Sequence, residues 1–242
     1  MFKYKGLKIN YKDFGNKDGL PIIYLHGWGQ NIQMMEPIAK PLEKTHRLII
    51  LDLPGFGISD EPETAWELND FVEMLHELLK KLKIEEPNLI GHSFGGKISL
   101  LYASKYKVNK LILLASPYKV KIKKQSLKVK LLKKAASIPG LSSIAEKMKK
   151  HIGSTDYKNA SPIMREILVR HVNTDLTEAA KLIKCPTFII WGTNDEAVPV
   201  EDAYELEKLI KDSGLSIYEG CTHYAYLERL GQTNAIIKSF IK

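Results

Sequence analysis

The sequence predicts an α/β protein, a mostly parallel sheet covered by helices on both faces and interrupted by one helical insertion. Three observations point there. Short runs rich in Ile, Leu and Val alternate with amphipathic stretches. The runs are apolar throughout, as strands buried on both faces are. Most of them empty into glycine-bearing loops, and in open parallel sheets ligands bind beyond the carboxyl ends of the strands.

The elements follow in order. Phe2–Tyr4 and 7–14 flank Gly6 and read as an antiparallel hairpin or meander. Pro21–Leu25 is a strand that ends in His26-Gly27-Trp28-Gly29, and Arg47–Leu51 a strand that runs into Asp52-Leu53-Pro54-Gly55-Phe56-Gly57. Residues 71–82 place Val72, Leu75, Leu78, Leu79 and Leu82 on one helical stripe. Residues 88–90 form a very short strand that closes on Gly91-His92-Ser93-Phe94-Gly95-Gly96, with a helix over 97–106. Further strands are predicted at 110–115, 187–191 and 215–218, and further helices at 200–211 and 233–241. From 117 to about 181 no strand run of this type occurs, and the helical pieces are broken by Pro139-Gly140 and Pro162. The core is therefore assigned to 1–116 and 181–242, and a helical cap to 117–180.

Composition narrows the class. A chain of 242 residues buries a sizeable core without staples. Two cysteines, Cys185 and Cys221, are too few for a disulfide framework or a four-ligand zinc site and read as buried thiols. No apolar run nears the roughly 18 residues of a membrane span, and the N-terminus is no signal peptide. A reducing, cytoplasmic location is the expectation. The net charge is +8, but 117–150 alone holds eleven Lys against one acid, Glu146. The excess is thus local to the first half of the cap. A solvated basic face is the plain reading, and docking to an acidic carrier protein or an anionic surface the alternative. No zinc finger, helix-turn-helix or RNP signature supports nucleic acid.

The chemistry lies in Gly91-His92-Ser93-Phe94-Gly95, a G-x-S-x-G with a strand before it and a helix after it. So tight a turn needs small residues at Gly91 and Gly95 and exposes Ser93 at the head of a helix, where negative charge is favoured. A serine hydroxyl needs a base, and the base an orienting acid. His223, after the last predicted strand, is the candidate base. No Asp or Glu occurs between Glu86 and Glu146, so the acid must come later. Asp195 is the first candidate, with Glu196 and Asp202 behind it. The backbone N–H groups of Phe94 and Trp28, the latter beside Gly27, are the expected oxyanion donors. His26 and His92 read as residues that orient loops. His46, His76, His151 and His171 read as surface or cap residues, and Asp52 and Asp60 as structural supports of the Pro54–Gly57 loop.

From Tyr11 onward the chain resembles α/β-hydrolase-fold proteins with a helical cap. The resemblance rests on HGWG (26–29), DLPGFGISD (52–60), GHSFGG (91–96), WGTND (191–195) and CTHY (221–224). It implies an eight-stranded, mostly parallel sheet and a catalytic triad in the order Ser93, Asp195, His223. The first two stretches are similar to those of pimeloyl-acyl-carrier-protein methyl esterases. Ser93 stands where dehalogenases and epoxide hydrolases of this fold carry Asp, which disfavours both activities. The expected function is a carboxylesterase-like serine hydrolase for esters of small or medium acyl chains, with no metal or organic cofactor. The same triad on a thioester, amide or carbon–carbon bond, or in perhydrolysis, is the alternative; a ligand-binding module without catalysis is another.

Overall fold

The computed structural model describes residues 1–120 and 155–242. Nine strands occur there: β1 Phe2–Tyr4, β2 Leu7–Ile9, β3 Tyr11–Gly15, β4 Pro21–Leu25, β5 Arg47–Leu51, β6 Asn88–His92, β7 Lys110–Leu114, β8 Thr187–Gly192 and β9 Ser213–Tyr218. The helices are α1 Ile32–Ala39, α2 Leu68–Lys81, α3 Phe94–Lys105, α4 Thr155–Asn159, α5 Pro162–Val172, α6 Thr177–Lys181, α7 Val200–Leu209, α8 Ala225–Glu228 and α9 Leu230–Phe240.

Seven strands form one sheet in the order β3-β5-β4-β6-β7-β8-β9, with only β3 antiparallel to its neighbour. The expected eight strands are not all joined among the described residues. β1 and β2 pair only with each other, because the predicted run 7–14 divides at Asn10. There the main-chain N–H of Asn10 turns to Ser59 Oγ and its amide Nδ2 donates to Asp52 Oδ2, both at 2.8 Å.

Successive residues of a strand face opposite sides, and here both sides are dry. Ile23, Leu25, Ile49, Leu51, Leu89, Leu111 and Leu113 pack with α2, α3 and α7. Ile22, Tyr24, Leu48, Ile50, Ile90, Ile112 and Leu114 pack with α1, α8 and α9 on the other face. This two-sided burial is why the runs carry no polar alternation.

Between β7 and β8 the described part of the insertion holds three helices, α4 to α6. Helix α5 begins at a Ser161 cap, whose Oγ accepts the Met164 N–H at 3.1 Å, with Pro162 in its first turn. The Lys-rich stretch from residue 121 on, Glu146 and His151 lie outside the described residues. No helix among the described residues is long and apolar enough to cross a membrane.

Candidate active site

Four loops meet at the carboxyl ends of the parallel strands: those after β4, β6, β8 and β9. Ser93 leaves β6 with φ 50° and ψ −109° and caps α3. Left-handed backbone is costly for a residue with a Cβ and persists where the surroundings enforce it. They do so here. The Ser93 N–H donates to Leu114 O at 2.9 Å, and the Gly95 N–H to His26 O at 3.1 Å. A side chain on Gly95 would run into the carbonyls of Leu25 and His26, and one on Gly91 into Gly95 O and Ser99 Oγ. The half-buried Ser93 hydroxyl makes no hydrogen bond to another described residue.

Asp195 and His223 are brought together by stitching the loops after β8 and β9. The Asn194 N–H donates to Cys221 O and the Gly220 N–H to Thr193 Oγ1, both at 2.8 Å. Gly192 is required at this seam, since a side chain there would meet the carbonyls of Cys221 and Thr222. Asp195 Oδ1 accepts the N–H groups of Ala197 (2.8 Å) and Val198 (2.7 Å), and Oδ2 lies 2.7 Å from His223 Nδ1. Of the other acids considered, Asp202 is paired with Lys119 at 3.1 Å and Glu196 is exposed.

His92, next to Ser93, reaches His223 as well. Its Nε2–H donates to the His223 main-chain oxygen at 3.0 Å, and the two rings are 4.8 Å apart. Burial and the neighbouring His223 push its pKa down to about 3, so it serves as a neutral spacer. His26 donates from Nδ1 to Gly27 O (2.7 Å) and accepts the Leu53 N–H at Nε2 (2.9 Å); burial lowers its pKa to about 4. It ties the loop after β4 to the loop after β5. Asp52 accepts the N–H groups of Ile32 (2.8 Å) and Ile58 (3.1 Å), and Asp60 that of Lys8 (2.7 Å). Both therefore hold backbone.

In the loop after β4, the Gly27 N–H donates to Gln30 Oε1 at 2.9 Å. The N–H groups of Trp28 and Phe94 have no hydrogen-bond acceptor among the described residues. Their rings lie 5.4 Å apart, and Phe56 packs edge-on to Trp28 at 4.9 Å. Cys185 and Cys221 are buried free thiols, and burial raises the Cys185 pKa to about 11.

Three residues of this region were not singled out for it in the sequence: Gln30, Lys97 and His171. His171, read there as a surface or cap residue, is 6% exposed. Its ring stacks on Trp28 at 5.3 Å and meets Phe94 at 4.6 Å. The signal was present, because Met164, Ile167, Leu168 and His171 fall at i, i+3, i+4 and i+7 and are the buried residues of α5. Lys97, on α3, is 1% exposed and donates from Nζ to the main-chain oxygens of His171 (2.6 Å) and Thr174 (2.8 Å). It latches the insertion to the core. Burial lowers its pKa to about 8, partly offset by Asp175.

That latch has a pH signature. The unfolded lysine titrates at its ordinary value of 10.5 and the folded one at about 8. Between these values the unfolded chain holds the extra proton, so this group's contribution to stability rises with pH. Denaturant unfolding of wild type and Lys97→Met from pH 7 to 10.5 is expected to show the difference shifting toward wild type above pH 8. The shift should approach at most about 1.4 kcal/mol per pH unit. A difference independent of pH would rule the effect out.

Comparison with known proteins agrees with this architecture. Residues 21–133 match the family described as alpha/beta hydrolase fold. The chain is 28% identical over 252 residues to the AB hydrolase superfamily protein YisY of Bacillus subtilis, covering 95% of this chain and 93% of YisY. It is 29% identical over 264 residues to Lipase 1 of Psychrobacter immobilis, covering 97% of this chain and 81% of the lipase. Among solved structures, the esterase EaEST from Exiguobacterium antarcticum superposes with a TM-score of 0.77 at 24% identity, over 98% of this chain and 96% of that one. By sheet topology, elbow geometry and these matches, the chain has the α/β-hydrolase fold, and the proteins it is similar to include a lipase and an esterase.

Proposed function

We propose that the protein is a serine hydrolase that cleaves carboxylic esters of small or medium acyl chains. Ser93 Oγ attacks the ester carbonyl while His223 Nε2 takes its proton. Asp195 holds the Nδ1–H of His223 and stabilises the imidazolium that forms. The unbonded N–H groups of Phe94 and Trp28 are the donors for the carbonyl oxygen as it gains charge. His223 returns the proton to the departing alkoxide, leaving an acyl group on Ser93. Water, deprotonated by the same imidazole, then releases the acid and regenerates the hydroxyl. The observation that carries this reading is the 2.7 Å contact between a buried carboxylate and the imidazole of His223, beside a serine held at φ 50°. Catalytic hydrogen bonds are commonly long before substrate binds, which fits a Ser93 hydroxyl still without a partner.

A fluorophosphonate tests it directly. Peptide mass mapping of the treated, folded protein should place one adduct on Ser93, and p-nitrophenyl esters from acetate to decanoate should be hydrolysed best at the short or middle lengths. Folded protein that takes no adduct at Ser93 would refute the proposal.

A further inference from the structure

The imidazole of His171 has no role in the chemistry above, yet its setting is unusual. Neither Nδ1 nor Nε2 has a hydrogen-bond partner among the described residues, although both atoms are buried. Buried polar atoms are almost always paired, and one left without a partner destabilises the fold. This one is held in place from several sides. Lys97 binds its main-chain oxygen at 2.6 Å, it shares the buried face of its helix with Met164, Ile167 and Leu168, and Trp28 stacks on its ring with an interplanar angle of 19°. The two rings it touches, Trp28 and Phe94, belong to the two residues whose backbone N–H groups also lack acceptors. The unpaired imidazole thus packs against the side chains of the two residues whose main-chain donors are also unpaired. An unused hydrogen-bonding group in such a place is suited to a ligand rather than to the fold.

We propose that His171 is a specificity residue that hydrogen-bonds a neutral polar substituent, a hydroxyl or amide, on the acyl part of the ester close to its carbonyl. This rests on the serine-hydrolase reading, because that reading puts the carbonyl oxygen between Trp28 and Phe94. The substituent's chemistry follows from the ring. Burial and the Lys97 ammonium hold His171 neutral, with its pKa pushed down to about 3. A neutral imidazole has one donor and one acceptor nitrogen, which suits a group that can accept, donate or do both. A carboxylate or phosphate would find no cation in the neutral ring, and Lys97 Nζ points to the main-chain oxygens of His171 and Thr174.

The test compares two esters with one leaving group, p-nitrophenyl butyrate and p-nitrophenyl 3-hydroxybutyrate, on wild type and on His171→Phe. Phenylalanine keeps an aromatic ring against Trp28 and removes both nitrogens. Wild type is expected to favour the hydroxy ester in kcat/KM by roughly tenfold or more, and the variant to lower that ratio by roughly ten- to hundredfold, whatever happens to absolute rates. If both esters lose rate equally in the variant, His171 only packs and the proposal falls. If wild type treats the two esters alike, it also falls, and that measurement stands even if the variant does not fold. Fluorophosphonate labelling separates the two levels. No adduct on wild-type Ser93 removes the hydrolase reading itself, whereas a labelled Ser93 without ester discrimination removes only the role of His171.

Discussion

Ser93→Ala is expected to abolish ester hydrolysis, by roughly 10⁴- to 10⁶-fold in kcat, with the fold intact. The two halves of this expectation have separate causes. Rate is lost because nothing else near the elbow replaces the nucleophile. His92 donates its Nε2–H to the His223 carbonyl, and Cys221 lies buried behind the loop. Stability is kept because the Ser93 hydroxyl makes no hydrogen bond within the described fold, and alanine carries the same Cβ into the same left-handed backbone. The variant should therefore melt within a few degrees of wild type, since the substitution removes no hydrogen bond within the described fold and leaves the backbone strain as it is. Initial rates on p-nitrophenyl butyrate with a thermal melt on the same samples make the check. A folded variant with a tenth of the wild-type rate would show that Ser93 is not the nucleophile.

Asp195→Asn should cost about 10⁴-fold in kcat with little change in KM, for a reason specific to this loop. The Ala197 and Val198 N–H groups, at 2.8 and 2.7 Å, both require an acceptor at the Oδ1 position. The asparagine carbonyl must take that place, which turns the amide NH₂ toward His223 Nδ1. An imidazole that accepts at Nδ1 carries its proton on Nε2, and that nitrogen can no longer take the serine proton. The substitution thus selects the wrong tautomer without disturbing the loop. Steady-state kinetics on one ester measure it: a tenfold loss or less, or a loss carried by KM, would mean that Asp195 does not orient the base.

The strands were legible because burial on both faces leaves an uninterrupted apolar run, as in RLIIL of β5, whose last four residues are all buried. Helix beginnings were less so. α3 starts at Phe94 and not at 97; Gly95 and Gly96, poor helix formers, mask its first turn in the sequence. They are retained because α3 packs so closely on β4 and Ser116 that a side chain at either would collide. α1 escaped notice, being eight residues long with Pro37 inside it. In α2 the boundary moved to Leu68, set by a capping box between Glu67 and Asp70.

Local chemistry by itself determined the class of fold, the elbow at Ser93 and the short set of acids and histidines that could serve it. Each is written in neighbouring residues: apolar runs, glycines two positions either side of a serine, and a stretch without a carboxylate from 87 to 145. Only the tertiary structure decided among them. It joined Asp195 to His223 and committed Asp202 to Lys119. It also left β1 and β2 outside the main sheet and turned His171 from a helix face onto Trp28 and Phe94. Those outcomes depend on contacts between residues far apart in the chain, and such contacts are set by how helices and loops pack on the sheet rather than by the pattern within any one segment.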